Sequence, residues 1–168
     1  AAVSDFQGSN DPEGSTILYD LSFRIEEGYR SNGDGDDELI TVFDNGNIFY
    51  NESGNKPDEK LIENIQGNVL AMISGDFDGD GDGDVAATGI FELGMLMWWE
   101  NLGGEPASWT RHMVADDLIQ PPGVFFADLD GDKDIDLLGT DAKANSLYWW
   151  ENDGSQQWTK HVVSGRFQ

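Results

Sequence analysis

Acidic residues occupy every second position of the segment GDFDGDGDGDV, residues 75–85. The first of the five is Asp76, the last is Asp84, and three of the four intervening residues are glycine. Carboxylates held this close together repel one another unless a cation lies among them. Calcium prefers six to eight oxygen ligands at about 2.3–2.6 Å, supplied by carboxylates, backbone carbonyls and water. The segment therefore predicts a calcium-binding loop.

The spacing of these residues fits a loop that wraps one ion. Carboxylates at positions 1, 3, 5 and 9 can reach the ion, a backbone carbonyl at position 7 adds a ligand, and glycine permits the sharp turns. The predicted ligands in this loop are Asp76, Asp78, Asp80, Asp82 (through its carbonyl) and Asp84. The segment ADLDGDKDIDLLGT, residues 127–140, repeats the pattern. Its predicted ligands are Asp128, Asp130, Asp132, Asp134 (through its carbonyl) and Asp136.

An EF-hand is the obvious alternative for an acidic loop of this kind, and the sequence argues against it. An EF-hand needs a bidentate glutamate at position 12, where these two loops have Ala87 and Gly139. Its flanking segments are helices, whereas the segments beside these loops have the composition of strands. The loops are therefore expected to join two strands.

The acidic loop is one of three landmarks of an internal repeat. WWEN at 98–101 returns at 149–152, and the pattern WTxH at 109–112 returns at 158–161. The steps between equivalent residues are 52 for Asp76 and Asp128, 51 for Trp99 and Trp150, and 49 for His112 and His161. Each unit contains four short β-branched or aromatic runs separated by Asp, Gly and Asn, which predicts four strands.

Four-stranded antiparallel units that repeat every 40–50 residues or so are typical of β-propeller blades. We therefore predict an all-β fold with an N-terminal extension at 1–14 and blades at 15–66, 67–117 and 118–168. Propellers usually have about four to eight blades, so three do not easily close a ring. We expect another copy of the chain, or another propeller segment, to complete it. An open stack of three blades is the less favoured alternative, because it exposes two apolar faces.

The first unit departs from the pattern. RSNGDGDDELITV at 30–42 aligns with the 75–85 loop, with Gly33 and Asp34 matching Gly79 and Asp80, but position 1 is Arg30. The remaining oxygen donors are Asn32, Asp34, Asp36 and Glu38. Two interpretations stay open, a third calcium ion or a guanidinium that replaces the cation among the carboxylates.

Charge and composition exclude several classes of partner. The chain has 33 acidic and 9 basic residues among 168, a net charge of −24, which argues against binding to nucleic acid or to an anionic membrane surface. It contains no cysteine, so disulfides and thiolate metal sites are excluded. No run of about 18 apolar residues predicts a membrane span. Because the chain begins at Ala1, we expect a matured product or a piece of a longer protein.

Histidine and tryptophan recur at equivalent positions, which favours a structural role over catalysis. One tryptophan of each adjacent pair is expected between blades, with the other partly exposed, since neighbouring side chains of a strand face opposite ways. Residues that break the repeat are better candidates for a function, and none forms a known catalytic constellation, so we expect no enzyme. These residues are 29–30, 91–94, 121–122 and 141–145. Asn51 begins a glycosylation sequon, Asn-Glu-Ser.

The pattern D-x-D-G-D-x-x-x-D between two strands, followed by the WWEN and WTxH landmarks, resembles the FG-GAP or VCBS-type calcium repeat. The resemblance covers nearly all of 67–165 and, weakly, 15–66. It implies a secreted, calcium-stabilised β-propeller module for extracellular binding or assembly, as in lectin-like and integrin-like adhesion proteins, with a protein or a glycan as ligand. On this interpretation the calcium ions, two with a third open, are structural. Two alternatives remain, the propeller part of a carbohydrate-active enzyme such as a polysaccharide lyase and a structural subunit of an extracellular filament or sheath.

Overall fold

The computed structural model describes residues 4–8, 19–24, 39–42, 46–51, 60–65, 67–90, 94–104, 106–119 and 121–165. These residues form thirteen strands and no helix, which confirms the predicted all-β class. The strands are β1 (Ser4–Gly8), β2 (Tyr19–Arg24), β3 (Leu39–Val42), β4 (Asn47–Asn51), β5 (Lys60–Asn64), β6 (Asn68–Gly75), β7 (Asp84–Ile90), β8 (Gly94–Asn101), β9 (Trp109–Leu118), β10 (Val124–Ala127), β11 (Asp136–Asp141), β12 (Ser146–Asn152) and β13 (Trp158–Gly165).

The strands form three antiparallel sheets, and each strand pairs with its neighbour in the chain. The first sheet has the order β1-β2-β3-β4-β5, the second β6-β7-β8-β9 and the third β10-β11-β12-β13. The second and third sheets have the four strands predicted for a blade. The first sheet has a fifth, β1, which lies in the segment predicted as an extension and pairs with β2.

The sheets stack face to face around two apolar clusters. The first cluster lies between the first and second sheets and includes Ile48, Tyr50, Met97 and Trp99. The second lies between the second and third sheets and includes the residues Phe77, Leu96, Trp98, Leu137 and Trp150. The middle sheet is therefore apolar on both faces, which explains the unbroken apolar run MLMWW in β8.

When the additional strand β1 is set aside, the first strands of successive sheets lie next to one another, with β6 beside both β2 and β10. This is the arrangement of inner strands around a propeller axis. Three such sheets do not close a ring. The structure thus has blade-like sheets in a partial propeller, as the repeat predicted.

Charged pairs link the outer strands of neighbouring sheets. The carboxylate of Glu63 in β5 accepts hydrogen bonds from Trp99 Nε1 at 2.8 Å and from Arg111 Nη1 at 2.7 Å. At the next interface, Lys160 Nζ lies 2.8 Å from both carboxylate oxygens of Asp117. Because these side chains are partly solvated, each pair contributes little stability and mainly favours one alignment of the sheets.

The third sheet exposes the face that the second sheet buries. Phe77 is 1% exposed and packs against the third sheet, whereas its repeat equivalent Leu129 is 44% exposed. Phe125, which corresponds to Ile73, is 61% exposed. The exposed face of the third sheet is thus a copy of an inter-sheet surface.

The tryptophan pairs differ between the two units for the same reason. Trp98 and Trp99 are both buried, so the expectation of one partly exposed tryptophan is wrong for the second unit. In the third unit Trp150 is buried and Trp149 is partly exposed, as expected. A sheet with a neighbour on each side covers both members of the pair.

Candidate metal centre

Each acidic loop joins the first strand of its sheet to the second, and the antiparallel pairing returns position 9 to position 1. In the β6–β7 loop, carboxylate oxygens of Asp76, Asp78 and Asp84 all lie within 4.8 Å of one another. In the β10–β11 loop the same holds for the oxygens of the three residues Asp128, Asp130 and Asp136. The structure therefore gathers predicted positions 1, 3 and 9 in both loops.

The carboxylate at position 1 organises the turn. Asp76 accepts the backbone N–H groups of Gly79 at 2.7 Å and Gly81 at 3.1 Å. Both glycines have positive φ, +79° and +98°, a conformation that glycine adopts without steric cost. These two turns wrap the chain around the carboxylate group.

The second loop has the same hydrogen bonds with one different residue. Asp128 accepts the N–H groups of Gly131 at 2.7 Å and Lys133 at 3.2 Å. Lys133 occupies the position of Gly81 and has a φ of +86°, so a residue with a Cβ atom adopts a conformation that favours glycine. The two loops are otherwise equivalent in backbone geometry.

The carboxylate at position 9 is fully buried and fixes both ends of the loop. Asp84 accepts the N–H of Phe77 at 2.7 Å and the N–H of Asn101 at 2.9 Å, one on each oxygen. Asp136 likewise accepts the backbone N–H groups of Leu129 at 2.8 Å and Asn152 at 2.9 Å. These bonds place the first loop residues, the start of the second strand and the end of the third strand around one carboxylate.

Positions 5 and 7 lie outside the clusters of three carboxylates. Asp80 Oδ1 accepts the N–H of Asp82 at 2.8 Å, and Asp132 Oδ1 accepts that of Asp134 at 2.9 Å. The position-7 side chains lie against the next turn, since a Cβ atom added at Gly103 would be 2.9 Å from Asp82 Oδ2. Their assignment as ligands stays a prediction.

Burial and mutual repulsion raise the pKa of carboxyl groups in the first of these loops. Burial raises the pKa of Asp84 to about 8 despite its two N–H donors. Burial also raises the pKa of Asp78 to about 6, with a further contribution from the nearby carboxylates of Asp80 and Glu100. The ionised cluster is therefore costly when no cation neutralises it.

The donor chemistry fits a hard divalent cation. Every side-chain donor in the clusters is a carboxylate oxygen, and no nitrogen or sulfur donor accompanies them in the described part of the chain. Oxygen-only sites with several carboxylates are those of calcium and magnesium, and a loop with many oxygen donors suits the larger ion. The predicted calcium ligands at positions 1, 3 and 9 are in place for such an ion.

Residues 30–38, the predicted metal loop of the first unit, lie outside the described residues. This covers Arg30 and the candidate ligands Asn32, Asp34, Asp36 and Glu38. Asn51 is described and is 1% exposed at the end of β4. A buried strand end is an unfavourable place for a glycan in the folded protein.

Sequence reasoning missed two asparagines that complete the loops. Asn101 and Asn152 donate their backbone N–H to the position-9 carboxylates, and their side-chain Nδ2 groups donate to Gly83 O at 3.3 Å and Ile135 O at 3.2 Å. Each Oδ1 accepts the N–H of a glycine two residues later. The signal was present in the repeated WWEN motif, whose asparagine follows position 9 by 17 and 16 residues.

The histidines form part of a repeated packing unit, as expected for a structural role. His112 stacks on Trp98 with ring centroids 4.5 Å apart, and its Nε2 lies 2.7 Å from Glu100 Oε2. His161 has the same relation to Trp149 and Glu151, at 4.5 Å and 2.6 Å. Neither imidazole belongs to a metal cluster among the residues described.

Of the residues that break the repeat, Asp141 has a structural explanation. Its buried carboxylate accepts the N–H groups of Ile119 at 2.7 Å, Lys143 at 3.1 Å and Ala144 at 2.8 Å. Asp141 thus ties the segment between the second and third sheets to the β11–β12 turn. Residues 29–30 and 91–93 lie outside the described part of the chain.

Comparison with protein families identifies the segment that contains both loops. The model of the FG-GAP-like repeat matches residues 76–139, which confirms the predicted resemblance over this segment. No curated protein and no solved structure matches the chain. None of the described residues forms a helix with the length and apolar character that a membrane span requires.

Proposed function

We propose that this chain is a secreted, calcium-stabilised β-propeller module that binds or assembles with an extracellular protein or glycan. The observation that carries the proposal is the equivalence of the two acidic loops. Each loop gathers three carboxylates within 4.8 Å and fixes them through the same set of backbone hydrogen bonds. One acidic turn is commonly a solvated surface feature, whereas two equivalent turns in an FG-GAP-like segment support a shared cation site.

Calcium has a structural role in this proposal. When bound, it supplies positive charge that neutralises the clustered carboxylates and lets them remain ionised. The chain contributes the geometry, since Asp84 and Asp136 anchor the loop to the third strand of the sheet. Loss of the cation leaves like charges in contact and loosens the connection between the first two strands of each blade.

The module acts without catalysis in this proposal. Both histidines are stacked on tryptophans in a repeated arrangement, and a catalytic site normally needs one unrepeated constellation. An extracellular setting is supported by the FG-GAP-like segment and is consistent with the proposed calcium sites.

Assembly is supported by the exposed face of the third sheet. Phe125 and Leu129 present apolar surface at positions that the second sheet buries against its neighbour. A further four-stranded sheet, from another copy of the chain or from another propeller segment, would cover this surface and extend the ring. A glycan or a protein would then bind to the extended propeller.

The test is calcium titration of the metal-stripped chain by calorimetry, with thermal unfolding and molecular mass measured on the same samples. We expect at least two sites and a rise in melting temperature. A ligand at 100 times its Kd stabilises by about 2.7 kcal/mol per site, so two sites correspond to roughly 10–20 °C in a chain of this size. A doubled mass would identify a second copy as the partner.

Matched variants separate a cation site from a general charge effect. Asp76→Asn/Asp128→Asn keeps one of the two acceptor oxygens that bind the loop N–H groups and removes one charge per cluster, and we expect much weaker binding. Asp116→Asn removes a charge from an exposed position in β9 and should bind calcium as the unchanged chain does. The absence of both binding heat and a melting-temperature change would overturn the proposal.

A further inference from the structure

A buried series of hydrogen bonds joins the two acidic loops across the interface between the second and third sheets. Asp136 Oδ1 accepts the backbone N–H of Asn152 at 2.9 Å. The side-chain Nδ2 of Asn152 donates to the backbone oxygen of Phe77 at 2.8 Å. The N–H of Phe77 in turn donates to Asp84 Oδ2 at 2.7 Å. All four residues are at most 1% exposed, so water does not compete for these bonds.

The bond to Phe77 acts on the part of the β6–β7 loop that carries ligands. Phe77 lies between Asp76 at position 1 and Asp78 at position 3, so the conformation of its backbone sets the separation of those two carboxylates. Its ring is held in the interface by edge contacts with Trp98 and Phe126, at centroid distances of 5.9 Å and 6.2 Å. A residue of the third sheet therefore helps to shape a metal cluster of the second sheet.

We infer that the two calcium loops bind cooperatively and that Asn152 couples them, an inference that rests on the proposed calcium function. Closure of the β10–β11 loop around its cation holds Asp136 in place. Asp136 then holds Asn152 with its amide against the carbonyl of Phe77. The β6–β7 loop, already partly ordered, loses less conformational entropy when it closes, so it binds more tightly. By linkage the effect is reciprocal.

The sign of this coupling distinguishes it from simple electrostatics. Two divalent cations in neighbouring loops repel each other, and loading one loop also reduces the negative charge that attracts an ion to the other. Both effects weaken the second binding event. Tighter binding of the second ion therefore requires a mechanical connection such as the one through Asn152.

Asn101 provides a matched control for Asn152. It makes the equivalent contacts within its own sheet, to Asp84 at 2.9 Å and to Gly83 O at 3.3 Å. It therefore supports the β6–β7 loop without contributing the bond from the third sheet to Phe77. Asn101→Ala should weaken that loop and leave the coupling between the loops intact.

The experiment is a calcium titration followed through two backbone amide signals in NMR spectra. The amide of Phe77 reports the β6–β7 loop and that of Leu129 reports the β10–β11 loop, because each donates to the position-9 carboxylate of its own loop. The Phe77 titration is measured with and without Asp128→Asn/Asp130→Asn, which disables the β10–β11 loop at exposed positions. The ratio of the two affinities is the coupling factor.

We expect a coupling factor of about five or more in the unchanged chain, the lower end of typical allosteric couplings. The coupling factor should remain near five with Asn101→Ala and fall to about one with Asn152→Ala. Because Asn152→Ala leaves the charges of both loops unchanged, this fall isolates the contribution of the hydrogen bond from any general charge effect. A factor of one or less in the unchanged chain overturns the inference. This outcome does not depend on whether the Asn152 variant folds. So does an equal factor in all three chains. Absence of a calcium-dependent shift at both amides instead overturns the proposed function itself.

Discussion

Trp98 and Trp149 occupy the same position of the repeat, and we predict that their replacement by alanine has unequal effects. Trp98 is fully buried, makes an edge contact with Phe77 of its own unit at 5.9 Å, and makes an edge contact across the interface with Trp158 at 6.5 Å. Trp149 lies on the exposed face of the third sheet and stacks on His161 of its own sheet. The same residue type at the same repeat position thus has a neighbouring sheet in one case only.

The expected costs follow from this difference in burial. Trp98→Ala removes a fully enclosed ring, which typically costs about 3–5 kcal/mol from the transfer and cavity contributions together. Trp149→Ala removes a partly exposed ring, so we expect it to lower the free energy of unfolding by about half as much, about 2 kcal/mol. At 2–4 °C per kcal/mol, the melting temperature falls by about 6–20 °C and about 4–8 °C respectively.

The assay is thermal unfolding followed by far-ultraviolet circular dichroism, with calcium saturating and at a concentration where sedimentation shows single chains. Trp150→Ala is the control, because Trp150 is 1% exposed on the covered face of the same sheet as Trp149. Trp150→Ala should lower the melting temperature as much as Trp98→Ala does. That result would show that the third sheet does not tolerate every tryptophan substitution equally well. Equal losses for Trp98→Ala and Trp149→Ala in single chains would refute the blade-stack reasoning.

Two further predictions concern the acidic loops. Lys133→Gly should raise the free energy of unfolding by about 0.5–1 kcal/mol in chemical denaturation, because relief of the positive φ, about 1–2 kcal/mol, exceeds the cost of the greater unfolded-state entropy of glycine. Gly81→Ala is the control: an added Cβ there meets no atom within 4 Å, so the strained φ alone should lower the free energy of unfolding. A loss of stability with Lys133→Gly would contradict the argument. In the metal-free chain, the raised pKa of Asp84, about 8, and of Asp78, about 6, stabilises the fold below about pH 4, and this contribution is lost as the pH rises through those values. Stability in chelator should therefore decline from pH 5 to pH 8, less steeply with Asp78→Asn, and an increase over that range would contradict the predicted cost of the ionised cluster.

Much of the fold could be predicted because its determinants are local in the sequence. Each strand pairs with the next one in the chain, so alternation of apolar residues and the period of the landmarks contain the blade pattern. Positions 1, 3 and 9 of the loops could be predicted for the same reason. A single turn and one strand pair bring Asp76, Asp78 and Asp84 together.

The remaining features depend on contacts that leave no local pattern. Asn152 and Phe77 are 75 residues apart, and nothing in the WWEN motif indicates a bond to the preceding blade. The burial of both Trp98 and Trp99 depends on a neighbouring sheet on each side, which the alternation within one strand does not encode. β1 contains no repeat landmark, and its pairing with β2 follows from the edge that β2 leaves available.

The pairing of each strand with its sequence neighbour also affects the order of folding. Hairpins close short loops first, so each four-stranded sheet can form with little loss of chain entropy and at a low contact order. The bond between Asn152 and Phe77 spans two sheets, so it forms only after the third sheet docks on the second. During synthesis, residues 68–118 leave the ribosome before residues 124–165, so Trp98 and Phe77 of the second unit stay exposed to solvent until the third sheet docks. The interval before the third sheet docks is therefore the stage at which a newly made chain is most prone to aggregation.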